Sequence, residues 1–165
     1  MLIPIYFFRV PSDVYLKSLE SSHAQLIFDN WSQKITSSVH EVEEEIAKMP
    51  SAGLFLKRND QLVCWMVSNP PFGMGLLFTL EEHRRRGYAK LVTQYMCKRM
   101  VQSGFVPFVT IVQGNTSSVA FFQSLGFRPF LCSVYGLLRS PTLDGWIDNR
   151  TLIQNWLFLY KKLWL

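Results

Sequence analysis

The sequence predicts a mixed α/β (α+β) domain in which helices cover the faces of a sheet. Apolar runs typical of strands alternate with helical patterns along the chain. A length of 165 residues suffices for one domain with a proper hydrophobic core. A content of 48% hydrophobic against 18% charged residues argues against disorder. The predicted order of elements is β-α-α-β-β-β-α-β-α-β, followed by a tail.

The chain begins with an apolar segment at residues 2–9, which predicts a first strand. Pro4 interrupts this segment and no basic region precedes it, so a strand is favoured over a signal peptide. A break at residues 11–13 follows. Helical spacing is then shown by Tyr15, Leu16 and Leu19, and again by residues 23–31.

A further helix is predicted from residue 38 onward. Ser38 and Glu41 have the spacing of a capping box. Apolar residues recur at helical intervals after this cap, at Val39, Val42, Ile46 and Met49. We interpret the acidic run at residues 43–45 as the solvated face of this helix.

A β-hairpin is predicted next. Residues 54–56 and 62–67 are typical of strands, and they flank a polar segment with an expected turn at residues 59–60. Proline and glycine break the chain at residues 69–73, and the apolar residues 74–80 predict another strand.

The second half of the chain predicts helix, strand, helix and strand. An apolar helical stripe begins at Tyr88 and ends before Gly104. The remaining predicted elements are a strand at 106–112, a helix at 115–125 closed by Gly126, and a final strand at 127–138.

The turn between strand 74–80 and the following helix is the most informative segment. It carries the arginines 84–86 and Gly87. Free backbone N–H groups point outward at such a helix start, and the helix dipole favours negative charge. The sequence therefore predicts an anion site here. The strands at 74–80 and 106–112 are expected to form a right-handed parallel crossover, with ligands at their carboxyl ends.

The bulk properties of the chain bound its partners only loosely. A formal net charge of +5 suits an anionic ligand, nucleic acid or an acidic membrane equally. Cys64, Cys97 and Cys132 lie in apolar runs, so buried reduced thiols are expected and no metal site is predicted. No run is long enough for an integral membrane segment. We expect a cytoplasmic protein, with mitochondria left open.

Two motifs resemble those of the GCN5-related N-acetyltransferase (GNAT) superfamily. Residues 84–89 match its signature Gln/Arg-x-x-Gly-x-Gly/Ala, and residues 115–127 resemble its asparagine-containing helix that ends in Gly-Phe. More narrowly, the chain is similar to the C-terminal half of glycine N-acyltransferase-like proteins. The residues that carry this narrower similarity are Ser22, His23, Ala24, Trp31, Thr79, Leu80, Glu82 and Arg84.

The resemblance implies a fold and a domain layout. The implied fold is a mixed, mostly antiparallel sheet of about six to seven strands, splayed at a central V and flanked by about four helices. Residues 1–139 would form the acyl-CoA-binding domain. Residues 140–165 form an apolar tail of uncertain role, since completing the sheet, covering a sheet edge or forming a homodimer all stay open.

The resemblance also implies acetyl-CoA or another acyl-CoA as co-substrate. Turn amides would hold the pyrophosphate, strand backbone would pair with the pantetheine arm, and Asn115 would orient that arm. The plain alternatives are a solvated basic turn and an ordinary helix cap at Asn115. The implied binding residues are Phe78, Thr79, Leu80, Arg84, Arg85, Arg86, Gly87, Tyr88, Ala89, Lys90, Asn115, Ser118 and Phe122.

Two departures from the family leave the catalytic residues unassigned. Phe122 stands where many members have a tyrosine as presumed acid. Gly73 stands where glycine N-acyltransferases are thought to use a glutamate. His83, Glu81 and Glu82 are expected on the outside of the turn, in a structural role. Tyr135 on the last strand could also reach the gap that the resemblance implies between the splayed strands.

The sequence therefore predicts an acyl-CoA-dependent N-acyltransferase that acts on a small amine or amino acid. The alternative is a non-catalytic acyl-CoA-binding domain, which the missing tyrosine and glutamate favour. The hypothesis of a nucleic-acid-binding module has less support, because no aromatic residues interleave with the arginines.

Overall fold

The fold was analysed in a computed structural model, which describes residues 9–31, 38–69, 73–112, 114–132 and 135–139. The chain divides into two compact units. The first comprises Met1–Asn69 and Met74–Pro107, and the second comprises Pro70–Gly73 and Phe108–Leu165. The predicted first strand, apart from residue 9, and the tail at 140–165 lie outside the described residues.

The first unit carries a sheet with the strand order β1-β2-β3-β4. Strand β1 pairs antiparallel with β2, and β2 pairs antiparallel with β3. Only Gly73 of β4 belongs to the other unit. In chain order the elements are β1 (Val14–Lys17), α1 (Ala24–Asp29), α2 (Val39–Lys48), β2 (Ser51–Leu56), β3 (Leu62–Asn69), β4 (Gly73–Thr79) and α3 (Tyr88–Gln102).

Strand β1 corrects the predicted helical segment at Tyr15, Leu16 and Leu19. The four-residue strand pairs along β2, from Val14 opposite Leu56 to Lys17 opposite Gly53. Val14 is only 1% exposed. The helical spacing was wrong here because tertiary pairing decides the state of so short a segment. The helix predicted over 23–31 is confirmed as α1, preceded by a 3₁₀ turn at Ser21–His23.

The predicted capping box is confirmed at the start of α2. The Ser38 hydroxyl accepts the Glu41 N–H at 3.2 Å, and the Glu41 carboxylate accepts the Ser38 N–H at 3.3 Å. Val42 and Ile46 of this helix are buried in a cluster that includes Trp65 of β3. The capped helix therefore covers one face of the sheet.

The hairpin of β2 and β3 is confirmed, with Asp60 in its turn at a φ of 58°. Helix α3 packs on these two strands and buries Val92 and Met96 completely. Gly104 follows the helix at a φ of 78°, as the predicted C-terminal signal requires.

The second unit contains β5 (Phe108–Val112), α4 (Thr116–Ser124), β6 (Arg128–Cys132) and β7 (Tyr135–Arg139). Its strand order is β5-β7-β6, and both pairs are antiparallel. The single final strand predicted at 127–138 was wrong. Because Arg128 pairs with Arg139 and Cys132 with Gly136, this segment is a hairpin of two strands.

The described residues contain seven strands and four α-helices, as the resemblance implied. The parallel crossover from strand 74–80 to strand 106–112 and the central V stay predictions, since they concern both units.

Candidate functional site

The turn that precedes α3 has the backbone conformation of an anion nest. A second 3₁₀ turn (Glu81–His83) follows β4, and Arg84 then returns to an extended conformation. Arg85 and Gly87 have positive φ angles of 60° and 78°, whereas Arg86 between them does not. Successive residues with φ of alternating sign direct their N–H groups into one concavity. The turn therefore offers several donors to one ligand group.

The start of α3 has no cap of its own. Gly87 is the N-cap residue, and no side chain accepts a hydrogen bond from the first turn. Tyr88, Ala89 and Lys90 are the first helical residues, whose N–H groups have no intrahelical acceptor. A Cβ atom added at Gly87 would meet nothing within 4 Å. The helix start is open to an external anion.

Exposed cations surround this open start. Arg85, Arg86 and Lys90 are exposed, and no carboxylate of the described residues pairs with them. Arg84 is different because its Nε donates to the Thr79 carbonyl at 3.1 Å. Its guanidinium carbon also lies 5.5 Å from the centroid of the Phe78 ring. All three predicted arginines are thus exposed, but only Arg84 is folded back onto the end of β4.

The end of β4 leaves fewer free backbone groups than the resemblance implies. The Leu80 N–H donates to the Val63 carbonyl at 2.9 Å, and the Leu80 carbonyl accepts the His83 N–H at 2.9 Å. Both polar backbone groups of Leu80 are therefore engaged. Because the backbone groups of successive residues in a strand point in opposite directions, the N–H and C=O of Thr79 point away from β3. The Thr79 carbonyl accepts a hydrogen bond from Arg84. A pantetheine amide would have to displace Arg84 or share this carbonyl with it.

Cys64 lies against the same strand end as an inert thiol. The Thr79 hydroxyl donates to the Cys64 sulfur at 3.1 Å. Burial raises the pKa of the Cys64 thiol to about 12. The predicted buried, reduced state is confirmed for this cysteine.

Asn115, Ser118 and Phe122 belong to the second unit. The Asn115 side-chain oxygen accepts the Ser118 N–H at 3.1 Å, so Asn115 caps α4. Phe122 is 3% exposed, and its ring lies 5.1 Å from that of Phe121 and 5.2 Å from that of Phe127. These contacts are structural, and the roles of the three residues toward acyl-CoA stay predictions.

The groups considered for catalysis lie in different surroundings. Glu81 and Glu82 are exposed, as expected. His83 corrects the expectation, because it is 7% exposed and its buried Nδ1 has no hydrogen-bond partner. The 3₁₀ turn directs this residue inward. Gly73 has a φ of 79°, and an added Cβ would lie 2.5 Å from the Phe108 carbonyl oxygen, so no side chain fits there. The side chain of Tyr135 lies outside the described set.

Glu45 is a group that the sequence analysis missed. It was assigned with residues 43–44 to a solvated face, yet it is half-buried. Burial, and secondarily the negative charge of Glu41, raise the pKa of Glu45 to about 7. A signal was present in the sequence, because Glu45 lies between Val42 and Ile46 at the edge of the apolar stripe.

The described residues contain no group of three or more side chains suited to hold a metal ion. They also contain no helix long and apolar enough to cross a membrane.

Comparisons with known proteins agree with this architecture. Residues 51–135 match the family model described as FR47-like protein. Human glycine N-acyltransferase-like protein 1 is 28% identical over 116 residues, which cover 69% of this chain but only 38% of the human protein. The chain thus spans well under half the length of that relative.

Solved structures show the fold. A Drosophila protein superimposes with a TM-score of 0.67 at 22% identity, covering 81% of this chain and 45% of the fly protein. The PaiA N-acetyltransferase of Thermoplasma acidophilum, solved in complex with coenzyme A, superimposes with a TM-score of 0.58 at 12% identity. That superposition covers 77% of this chain and 98% of PaiA.

Proposed function

The chain belongs to the FR47-like family within the GNAT superfamily, and from this premise we propose that it is an acyl-CoA-dependent N-acyltransferase. The acceptor is a small amine or amino acid. The observation that carries this proposal is the open start of α3, where a nest and an uncapped helix N-terminus coincide.

Coenzyme A matches the chemistry of this turn. Its pyrophosphate is a compact dianion that accepts several N–H donors, which the nest and the first helical turn offer together. Gly87 lets the backbone approach the phosphates, because no Cβ intervenes. Arg85, Arg86 and Lys90 add mobile positive charge, which strengthens binding of an anion and makes it sensitive to salt. The coenzyme A complex of PaiA supports the same ligand for this chain.

Acyl transfer places three demands on such a site. The amine must lose a proton to become a nucleophile, the thioester carbonyl must be polarised, and the thiolate must leave. Backbone N–H groups near Leu77 and Thr79 are suited to stabilise the oxyanion. The thiolate leaves readily, so a missing acid at Phe122 does not prevent the reaction.

A second function, acyl-CoA binding without transfer, is favoured by one observation. The site that carries a glutamate in glycine N-acyltransferases is closed here to any side chain, since Phe108 fills the space beside Gly73. A base must then come from elsewhere, or transfer does not occur.

Calorimetry with acetyl-CoA tests the shared part of both functions. Gly87→Glu places a negative charge in the nest and should weaken binding by about 100-fold or more. Gly104→Glu is the matched control, because Gly104 also has a φ of 78° and nothing within 4 Å of an added Cβ. It should strain the backbone equally and leave binding intact. No heat with any acyl-CoA, or equal loss in both variants, would overturn the proposal.

Release of free coenzyme A on a panel of amines then separates an enzyme from a binding domain. A wild-type protein that binds acetyl-CoA but releases none with any amine supports the second function.

A further inference from the structure

Gly75 is a strand glycine that neither its backbone conformation nor its packing requires. Strands β2 and β4 contain three glycines, Gly53, Gly73 and Gly75. A Cβ atom added at Gly53 would lie 2.6 Å from the Phe55 ring, and one added at Gly73 would lie 2.5 Å from the Phe108 carbonyl oxygen. The φ of Gly75 is outside the left-handed region, and an added Cβ would meet none of the described residues within 4 Å. A side chain therefore has room at Gly75, in contrast to the other two positions.

Folding stability would favour a larger residue at Gly75. A glycine inside a strand loses more conformational freedom on folding than any other residue, and it offers the sheet no side chain to pack. The rest of the segment 74–80 consists of bulky apolar residues and one threonine. A glycine in such a strand typically marks a bulge, a bend or a place where a ligand or another backbone approaches closely. Because no described atom lies near the added Cβ, we infer that the approaching group is a ligand.

The residue after Gly75 has a conformation that leucine rarely adopts. Leu76 has a φ of 51°, in the left-handed region where the Cβ of an L-residue crowds the backbone. Strained residues of this kind cluster at active sites and ligand contacts. The side chains of Leu76, Leu77 and Phe78 are only half-buried. The middle of β4 therefore combines an unusual backbone with an apolar and partly open surface.

The distance from the nest to Gly75 matches the length of the pantetheine arm. About 12 bonds separate the phosphate oxygen of this arm from its sulfur, which is the length of about four extended residues, or about 13–14 Å. The compact turn to the nest begins at Leu80, whose carbonyl accepts the His83 N–H at 2.9 Å. About four residues back from Leu80 along β4 is Leu76, the neighbour of Gly75. An arm that pairs along β4 would therefore bring the thioester sulfur beside these two residues.

We propose that the space beside Gly75 binds the acyl group of the donor and accepts linear apolar chains longer than acetyl. The inference rests on the proposed function, because it requires an acyl-CoA whose pyrophosphate is bound in the nest. It names the class of donor, which is an acyl-CoA with a short aliphatic chain such as butyryl-CoA. The chain supplies the apolar contact that Gly75 itself does not make, and a side chain at this position would fill the space.

Calorimetry with coenzyme A, acetyl-CoA and butyryl-CoA tests this assignment. The wild type should bind butyryl-CoA about tenfold more tightly than acetyl-CoA, since each fully buried methylene group contributes about fourfold. Gly75→Val should remove this preference by weakening butyryl-CoA binding by about tenfold or more, while coenzyme A and acetyl-CoA stay within about twofold. Gly75→Ala, whose Cβ has room, should lower the preference by about threefold and covers the case that the valine variant does not fold.

Gly104→Ala is the matched control, because Gly104 also has nothing within 4 Å of an added Cβ but lies after α3, away from β4. It should leave the preference for butyryl-CoA unchanged. A wild type that binds butyryl-CoA no more tightly than acetyl-CoA overturns the inference and leaves the proposed function standing. So does a full preference in both Gly75 variants, or an equal loss of all three ligands in both, which would assign Gly75 to the strand. A wild type that binds none of the three ligands removes the proposed function and the inference with it.

Discussion

Helices α2 and α3 both begin with backbone N–H groups that have no acceptor within the helix, and the two starts differ in whether a side chain caps these groups. At α2, Ser38 and Glu41 satisfy the free N–H groups, and the acid also matches the helix dipole. At α3, Gly87 offers no side chain, and the first turn carries Lys90 and no acid. Both choices at α3 weaken an isolated helix. The contrast indicates that the start of α3 is arranged for an anion that the chain itself does not provide.

Helix α2 shows the same distinction along its own length. Its other carboxylates have partners within the chain, whereas Glu45 has none among the described residues. Groups with a partner serve the fold. The free N–H groups at the start of α3 are where we expect a ligand, and three changes test this distinction between groups with and without a partner.

The largest effect on stability is expected from Glu45→Gln. Below pH about 4.5 the carboxyl is protonated in both states, and between about 4.5 and 7 only the unfolded state loses its proton. The free energy of unfolding of the wild type therefore decreases as the pH rises through this window. That of the variant does not, because glutamine does not titrate. At pH about 8, Glu45→Gln should be more stable than wild type by about 1–3 kcal/mol, with no gain near pH 4.

Urea denaturation at both pH values measures this difference. Glu43→Gln should stay within about 0.5 kcal/mol of wild type, because an exposed pair contributes little. A Glu45→Gln protein that is less stable than wild type at pH about 8 would show that the carboxylate has a structural partner.

The next effect concerns Lys90, at the open start of α3. Lys90→Glu should stabilise the helix by about 0.3–1 kcal/mol, since an acid suits the N-terminal turn. The same change should weaken acetyl-CoA binding by about tenfold, because it replaces attraction of the phosphates by repulsion. Calorimetry and thermal unfolding measure the two opposite effects.

Lys98→Glu is the matched control, with the same change of charge on the same helix but away from its start. It should leave the affinity within about twofold, since salt screens a distant exposed charge. An equal loss of acetyl-CoA affinity in both variants would show that the net charge of the protein matters and that the position of Lys90 at the start of α3 does not.

The smallest effect is expected from Ser38→Ala, at the closed start of α2. Loss of the cap should cost about 1 kcal/mol of stability, and Ser38→Asp should retain it. Acetyl-CoA affinity should not change, because no ligand replaces this cap. A loss of affinity measured by calorimetry would contradict the distinction between the two helix starts.

Local signals predicted much of this molecule. Neighbouring residues determine three features, and each was predicted from the sequence. They are the capping box at Ser38, the β2–β3 hairpin and the turn at Gly87. Strand β1 was missed because its state depends on pairing with residues about 40 positions away, which no local spacing reports.

The site was predicted less completely than the fold, for a related reason. Burial of His83 and Glu45 depends on which elements cover them, and polar residues near a turn or in an acidic run give no local sign of it. The contact of Arg84 with Thr79 was equally absent from the sequence pattern, since the two residues lie five positions apart across a 3₁₀ turn.

The buried thiol of Cys64 has a consequence for the resistance of the protein to oxidation and disulfide exchange. Thiol–disulfide exchange requires a thiolate, and a pKa of about 12 leaves almost none at neutral pH. A protein that handles a thiol coenzyme is exposed to sulfur nucleophiles and their disulfides at every turnover. Cys64 lies under the strand end where the proposed coenzyme would bind, and its burial, which outweighs the opposite effect of the Thr79 hydroxyl on its pKa, keeps it from such exchange. The Cys64 thiol would therefore stay unreactive toward the sulfur of the proposed coenzyme.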